Sequence, residues 1–240
     1  MTKIVAHRGL SARFPENTMR SFEAAAETGC DGIELDVQLS ADGQLVVIHD
    51  ETLERTTNGS GRVRDFTLEE LGRLDASRSR PGDFGINRIP TFSEYLDFIA
   101  DKPQWTNIEL KNGIYPYPSL EEKVIQAVRE RGFEKRVLFS SFNHQSMLKC
   151  KRLAPEIEVA FVTGSWLVSA GAYCRANGAD FLNPRFCFLS DENMAELKAN
   201  GMRVQAWTVN EEEDMERLFG LDAFAIITND PALALKALGR

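Results

Sequence analysis

"RVQAWTVNEEEDMERLFGLDAFAIITNDPALALKALG", residues 203–239, holds a strand, a helix, a second strand and a second helix in close succession. "RVQAWTV" and "AFAIIT" are short apolar runs with β-branched and aromatic residues, and they read as strands. Between them, "EEEDMERLF" opens on an acidic turn that suits the positive N-terminal end of a helix. Asp230 stands where a helix cap belongs, and Pro231 occupies the first helical turn, where its missing N–H costs nothing.

The same cadence runs back through the chain. "KIVAHRG" leads to "TMRSFEAAAETG", with Gly29 as its stop, and "WTNIELK" to "SLEEKVIQAVRERG", where Ser119 and Glu122 predict a capping box and Gly132 a stop. "RVLFSSFN" precedes "HQSMLKCKRLA", with Asn143 at the cap position, and "EVAFVTG" precedes the less regular "SWLVSAGAYCRANG". "ADFLNP" precedes "DENMAELKANG", with Ser190 as cap and Gly201 as stop. "GIELDVQ" makes the second of eight strands, and its helix is "FSEYLDFIA", capped by Thr91 with Glu94 three residues on. Eight alternating units in 240 residues predict an α/β protein with one domain, a (β/α)8 TIM barrel over 1–240. An open doubly wound sheet is the alternative. The barrel is preferred because polar residues gather at the C-terminal ends of so many strands. One segment breaks the rhythm, an insertion at about 51–90 after the second-strand hairpin, with "TTNGSGR", "TLEEL" capped by Thr67 and Glu70, and "SRSRPGDFGINR". It reads as a lid or substrate wall, or else as a plain surface excursion.

Composition excludes some functions. A net charge of −8 argues against a general nucleic-acid or anionic-membrane binder. No stretch approaches the ~20 apolar residues of a membrane span, and no integral membrane association is expected. "MTKIVAHRG" enters a strand almost at once, so no signal core is expected and a cytoplasmic location is. Cys30, Cys150, Cys174 and Cys187 lack metal-type spacing and read as reduced, structural thiols.

The chemistry gathers in and around "IELDVQLSADGQLVVIHD", residues 33–50. Side chains repeat every second residue along a strand, so Glu34 and Asp36 share a side, and so do Glu109 and Lys111. Asp42–Gly43 is a hairpin turn that returns His49 to the level of the two acids. One E-x-D alone reads as separate ion pairs with Arg8 and Lys111. With Glu109 added from another strand, a hard divalent cation, Mg²⁺ or Ca²⁺, is the better reading. His7 and His49 beside it suit a general acid and base near neutral pH. Arg8 and Lys111 suit an anionic phosphate, although Arg8 reads equally as a structural ion-pair partner. Three acids, two histidines and two cations on one rim describe metal-assisted phosphoryl chemistry. His144, near a helix start, reads as a surface or capping residue.

With these residues in place, the sequence resembles the glycerophosphodiester phosphodiesterase family. The matching residues are "HRG" at 7–9, "PENT" at 15–18, "ELD" at 34–36, "HD" at 49–50 and "ELK" at 109–111, followed by "WTVN" and "ITND". The resemblance covers essentially the whole chain and implies a (β/α)8 barrel. The implied reaction is hydrolysis of glycerophosphodiesters, such as glycerophosphocholine, to sn-glycerol 3-phosphate and an alcohol. It also implies a cation held by Glu34, Asp36 and Glu109, His7 and His49 as acid and base, and Arg8 and Lys111 on the phosphate. The course it suggests uses a glycerol hydroxyl as internal nucleophile and passes through a cyclic phosphate. Around these, Glu16 is expected to orient Arg8, and Asn17 or Thr18 to cap a helix. Trp207 and the softer candidate Phe142 read as an apolar wall beside the glycerol or as barrel packing, and Asn183 as a polar contact or a turn. The rivals are a lipid-directed phosphodiesterase and a silent barrel that binds phosphodiesters. The expected partner is a small-molecule substrate, and oligomeric state is unreadable.

Overall fold

The computed structural model describes residues 1–80, 82 and 84–240. Eight parallel strands form the barrel: β1 (Lys3–His7), β2 (Gly32–Leu39), β4 (Trp105–Leu110), β5 (Val137–Ser141), β6 (Glu158–Thr163), β7 (Phe181–Pro184), β8 (Arg203–Ala206) and β9 (Ala225–Thr228). β1 pairs in parallel with both β2 and β9, so the sheet closes on itself. That closure rules out the open doubly wound sheet. The remaining strand, β3 (Leu45–Val47), is an antiparallel appendage of β2, turned by Gly43 at φ 72°.

The helices lie where the cadence put them: α1 (Met19–Glu27), α3 (Phe92–Ile99), α4 (Leu120–Arg129), α5 (His144–Leu153), α6 (Ala170–Ala176), α7 (Asp191–Ala199), α8 (Glu212–Gly220) and α9 (Pro231–Ala237), with the short α2 (Leu68–Leu71) inside the insertion. Thr67, Thr91, Asn143, Ser190 and Asp230 each accept a backbone N–H of the following helix, as predicted. Ser119 does not. It sits in the left-handed region at φ 61° and makes no side-chain cap, whereas a capping hydroxyl works from extended backbone. Glu122, its expected partner, instead accepts from Lys149 at 2.9 Å. No described helix is long and apolar enough to cross a membrane.

Each barrel strand divides its side chains between two environments. On β2, Ile33, Leu35 and Val37 face the helices and join the main core, with Phe22, Phe92, Tyr95 and Leu96. The alternate residues face the barrel interior, where Val5, Ala225 and Ile227, and Leu138, Ala160 and Phe181, form small apolar clusters over Trp105 and Phe224. The upper interior is polar instead. Asn107, Ser140 and Asn183 are buried there and Gln205 lower down beside Phe181 and Phe224, and each has a side-chain oxygen with no hydrogen-bond partner among the described residues.

The insertion has a core of its own, made of Val46, Ile48, Leu53, Val63, Leu71, Ala76 and Ile89. It packs around β3, and Arg20 Nη1 ties it to the barrel by donating to the Phe84 carbonyl at 2.9 Å. Cys30, Cys150 and Cys174 are buried free thiols and Cys187 an exposed one.

Candidate active site

The sheet register creates the acidic half of the site. Asp36 on β2 stands beside Glu109 on β4, and Glu34 beside His7 at the end of β1. Carboxylate oxygens of Glu34, Asp36 and Glu109 therefore all lie within 4.8 Å of one another. Burial, with the neighbouring Asp36 charge, pushes the Glu34 carboxyl well above the usual range. Burial also raises Asp36, but His49, Arg8 and Lys111 outweigh it and hold this carboxyl below the usual range. Asp36 Oδ2 accepts from Asn17 Nδ2 at 2.8 Å, while Oδ1 is buried with no hydrogen-bond partner among the described residues, Lys111 Nζ standing 4.0 Å away. An orphaned carboxylate oxygen within an all-oxygen trio fits a hard divalent cation.

Loops supply the rest. Beyond β1 the chain turns through Arg8 and Gly9, both left-handed at φ 56° and 82°. A Cβ on Gly9 would stand 2.6 Å from a backbone carbon of Ser21, so only glycine fits this turn. The turn points the Arg8 N–H at Glu34 Oε2, 3.0 Å away. Its guanidinium reaches Asp36 Oδ2 at 3.3 Å and donates to Glu16 Oε1 at 2.7 Å. Asn17 is also left-handed and does not cap; Thr18 caps α1 by accepting from the Ser21 N–H.

His49 follows β3 on a loop held from below. Gln38, two residues beyond Asp36 on the same side of β2, donates to the carbonyls of Ile48, His49 and Asp50 at 3.0, 3.1 and 2.7 Å. His49 Nδ1 donates to Asp50 Oδ1 at 2.5 Å, which fixes the tautomer, and Nε2 accepts from Lys111 Nζ at 3.2 Å. Lys111 also donates to Glu109 at 3.0 Å. Burial opposes charge on this lysine, but Glu109 and Asp36 outweigh it and raise its pKa. Across the site His7 Nδ1 donates to Asn229 Oδ1 at 2.6 Å, leaving Nε2 free. Burial first, then the Arg8 charge, lowers the His7 pKa to about 3, so the ring is neutral in the free enzyme.

These groups line one cavity of about 370 Å³, with His7, Arg8, Glu34, His49, Glu109 and Lys111 on one side. Phe142 and Trp207 form the other side, edge to face with centroids 5.6 Å apart. Trp207 is anchored by Nε1 donating to the Asn183 carbonyl at 2.7 Å. Asn107, Ser140 and Asn183 form the floor. No described residue of the insertion lines this cavity. His144 does not line it; the ring is stacked on Phe161 and hydrogen-bonded to Tyr173 and the Val162 carbonyl. Sequence reasoning gave no part to Gln38, Asp50 or Asn229. Asp50 and Asn229 lie within the quoted "HD" and "ITND", and Gln38 continues the alternation of Glu34 and Asp36, the signal that could have found it.

Residues 7–233 match the Glycerophosphoryl diester phosphodiesterase family. The chain belongs to this family. It is 46% identical over 230 residues to a glycerophosphodiester phosphodiesterase of Caldanaerobacter subterraneus, covering 96% of this chain and 95% of that one. A second relative of the same name, from Bacillus altitudinis, is 42% identical and covers 98% of each chain. Among solved structures, an Oleispira antarctica phosphodiesterase in complex with the product sn-glycerol-3-phosphate superposes with a TM-score of 0.89. It is 30% identical, and the match covers 100% of this chain and 98% of that one. The protein is a phosphoric diester hydrolase of the glycerophosphodiester type on a (β/α)8 barrel, and its acidic trio is compatible with a divalent metal.

Proposed function

We propose that the protein hydrolyses small glycerophosphodiesters, such as glycerophosphocholine and glycerophosphoethanolamine, to sn-glycerol 3-phosphate and the free alcohol. The observation that carries this reading is the convergence of Glu34, Glu109, two histidines and two cationic side chains on one small cavity, with the buried Asp36 completing the acidic trio beside them. Glu34, Asp36 and Glu109 would hold the cation, Mg²⁺ or Ca²⁺. When bound, such an ion supplies Lewis-acid charge to a substrate oxygen and lowers the pKa of a bound hydroxyl.

Arg8 and Lys111 bind the phosphate and face its developing negative charge. Charge balance supports the divalent cation, because Arg8 and Lys111 alone do not offset both the acidic trio and the added negative charge of a phosphodiester. His7 and His49 divide the proton work: one takes the proton of the attacking hydroxyl and the other gives one to the leaving alcohol. Asp50 and Asn229 serve them by fixing each Nδ1–H, so that Nε2 is the working atom. Phe142 and Trp207 wall the pocket, and Glu16 and Asn17 hold Arg8 and Asp36 in place.

An assay coupled to glycerol 3-phosphate dehydrogenase, with and without chelator, tests the reading. Glycerol 3-phosphate is expected from glycerophosphocholine only when divalent metal is present. Absence of release from every glycerophosphodiester tried, or release indifferent to chelation, would overturn it.

A further inference from the structure

One guanidinium of the insertion hydrogen-bonds the residues that hold the catalytic groups. Arg55 Nη1 and Nη2 donate to Glu16 Oε2 and Oε1 at 2.7 and 2.8 Å. Its Nε and Nη2 donate to Asp50 Oδ2 and Oδ1 at 2.6 and 2.9 Å. One planar fork thus grips two carboxylates, each by both oxygens. Each carboxylate is also committed elsewhere: Glu16 Oε1 accepts from Arg8 Nη1 at 2.7 Å, and Asp50 Oδ1 from His49 Nδ1 at 2.5 Å. A continuous relay runs Arg8, Glu16, Arg55, Asp50, His49.

We infer that Arg55 is a positioning residue that sets the distance between the phosphate-binding arm and the proton-transfer arm. The inference rests on the proposed roles of Arg8 and His49. Those residues leave the barrel on separate loops, one after β1 and one after β3, and the pleat of the sheet fixes neither against the other. Glu16 and Asp50 need a common partner whose own backbone is held. Arg55 has one, because Leu53, Thr56 and Thr57 around it are buried. Thr57 also locks the turn, its N–H and hydroxyl donating to the Leu53 carbonyl at 2.9 and 2.8 Å. The insertion therefore acts as a foundation for this clamp. Lysine could not replace the arginine, since a point charge cannot fork to two carboxylates at once.

The test compares full-length wild type, Arg55→Ala and Arg55→Lys on glycerophosphocholine with divalent metal, and records melting curves beside kcat and KM. Wild-type turnover reports on the functional reading, and the variants report on the clamp. Loss of positioning at a site away from the chemistry lowers kcat about 10²-fold. That loss is expected in both variants, with little change in KM and a single cooperative melting transition retained at a somewhat lower temperature. Low, non-denaturing guanidinium should restore part of the Arg55→Ala activity while leaving wild type unchanged. Adding Asp50→Asn to Arg55→Ala should cost far less than the product of the two single effects. Turnover within about twofold of wild type, a loss carried by KM alone, or no response to guanidinium would each overturn the inference.

Discussion

The site has two halves built by different physics. Glu34, Asp36 and Glu109 are held by strands, and their convergence follows from the two-residue repeat and the pairing of β2 with β4. Arg8, Glu16, Asn17, His49, Asp50 and Arg55 lie on loops, and side-chain hydrogen bonds and left-handed backbone hold them together. The strand half is fixed once the barrel closes. The loop half exists only when segments far apart in the chain agree in detail, so it is the half a small change disturbs.

Removing either histidine gives the largest expected effect. His7→Ala and His49→Ala should each lower kcat by about 10² to 10⁴-fold while metal titrations stay close to wild type, because neither ring hydrogen-bonds Glu34, Asp36 or Glu109. A p-nitrophenyl phosphodiester, whose leaving group needs no proton, separates the two. One variant alone should recover on it, and recovery of both or of neither would contradict a divided acid and base.

Glu109→Gln attacks the strand half. It should weaken metal dependence by about 10-fold or more and leave the melting temperature nearly unchanged, since it removes the least buried of three crowded acidic groups. An unchanged metal titration would refute the ligand set. Gly9→Ala attacks the loop half through its backbone. Left-handed strain and contact with Ser21 should cost about 1–3 kcal/mol in a denaturant titration. Stability equal to wild type would show that the turn has room.

The smallest effect is a pH dependence. Glu16 and Asp50 are both held below their ordinary pKa: burial opposes this, and Arg55 at Glu16 and His49 and Arg55 at Asp50 outweigh it. Their contribution to stability is present above the ordinary carboxylate range near 4 and is lost as pH falls through the lower folded values. The gap in melting temperature between wild type and Arg55→Ala should therefore narrow between about pH 7 and about pH 3. A gap that widens on acidification would remove the clamp's electrostatic basis.

The same division explains what was legible in the sequence. Strand parity put Glu34 with Asp36 and Glu109 with Lys111 on shared sides, and the Asp42–Gly43 turn brought His49 back, since Ile48 donates to the Asp36 carbonyl at 3.1 Å. Caps at Thr91, Asn143 and Ser190 were readable because a short side chain meets an N–H two or three residues ahead. Ser119 shows the limit of that rule, because the motif was present and the backbone of Ser119 itself was left-handed, not extended. Arg55 was not legible. It lies in a stretch without periodicity, and its partner Glu16 is 39 residues away in a different loop. The unpartnered floor residues were hidden for another reason, since a polar side chain in a strand does not disclose whether it will find a partner inside a barrel.

That floor has a consequence for how the protein can change. Barrels of this class ordinarily fill their interior with branched apolar side chains. Here Asn107, Ser140, Asn183 and Gln205 occupy interior positions, and both amide atoms of the fully buried Gln205 lack a partner among the described residues. A polar side chain packs an interior less well than the branched apolar one it stands in for, so apolar replacement here is a route to heat resistance that the chain does not use. Selection for a hotter habitat would find it first at Gln205, below the cavity lining, and would reach Asn107, Ser140 and Asn183 only by altering the pocket itself.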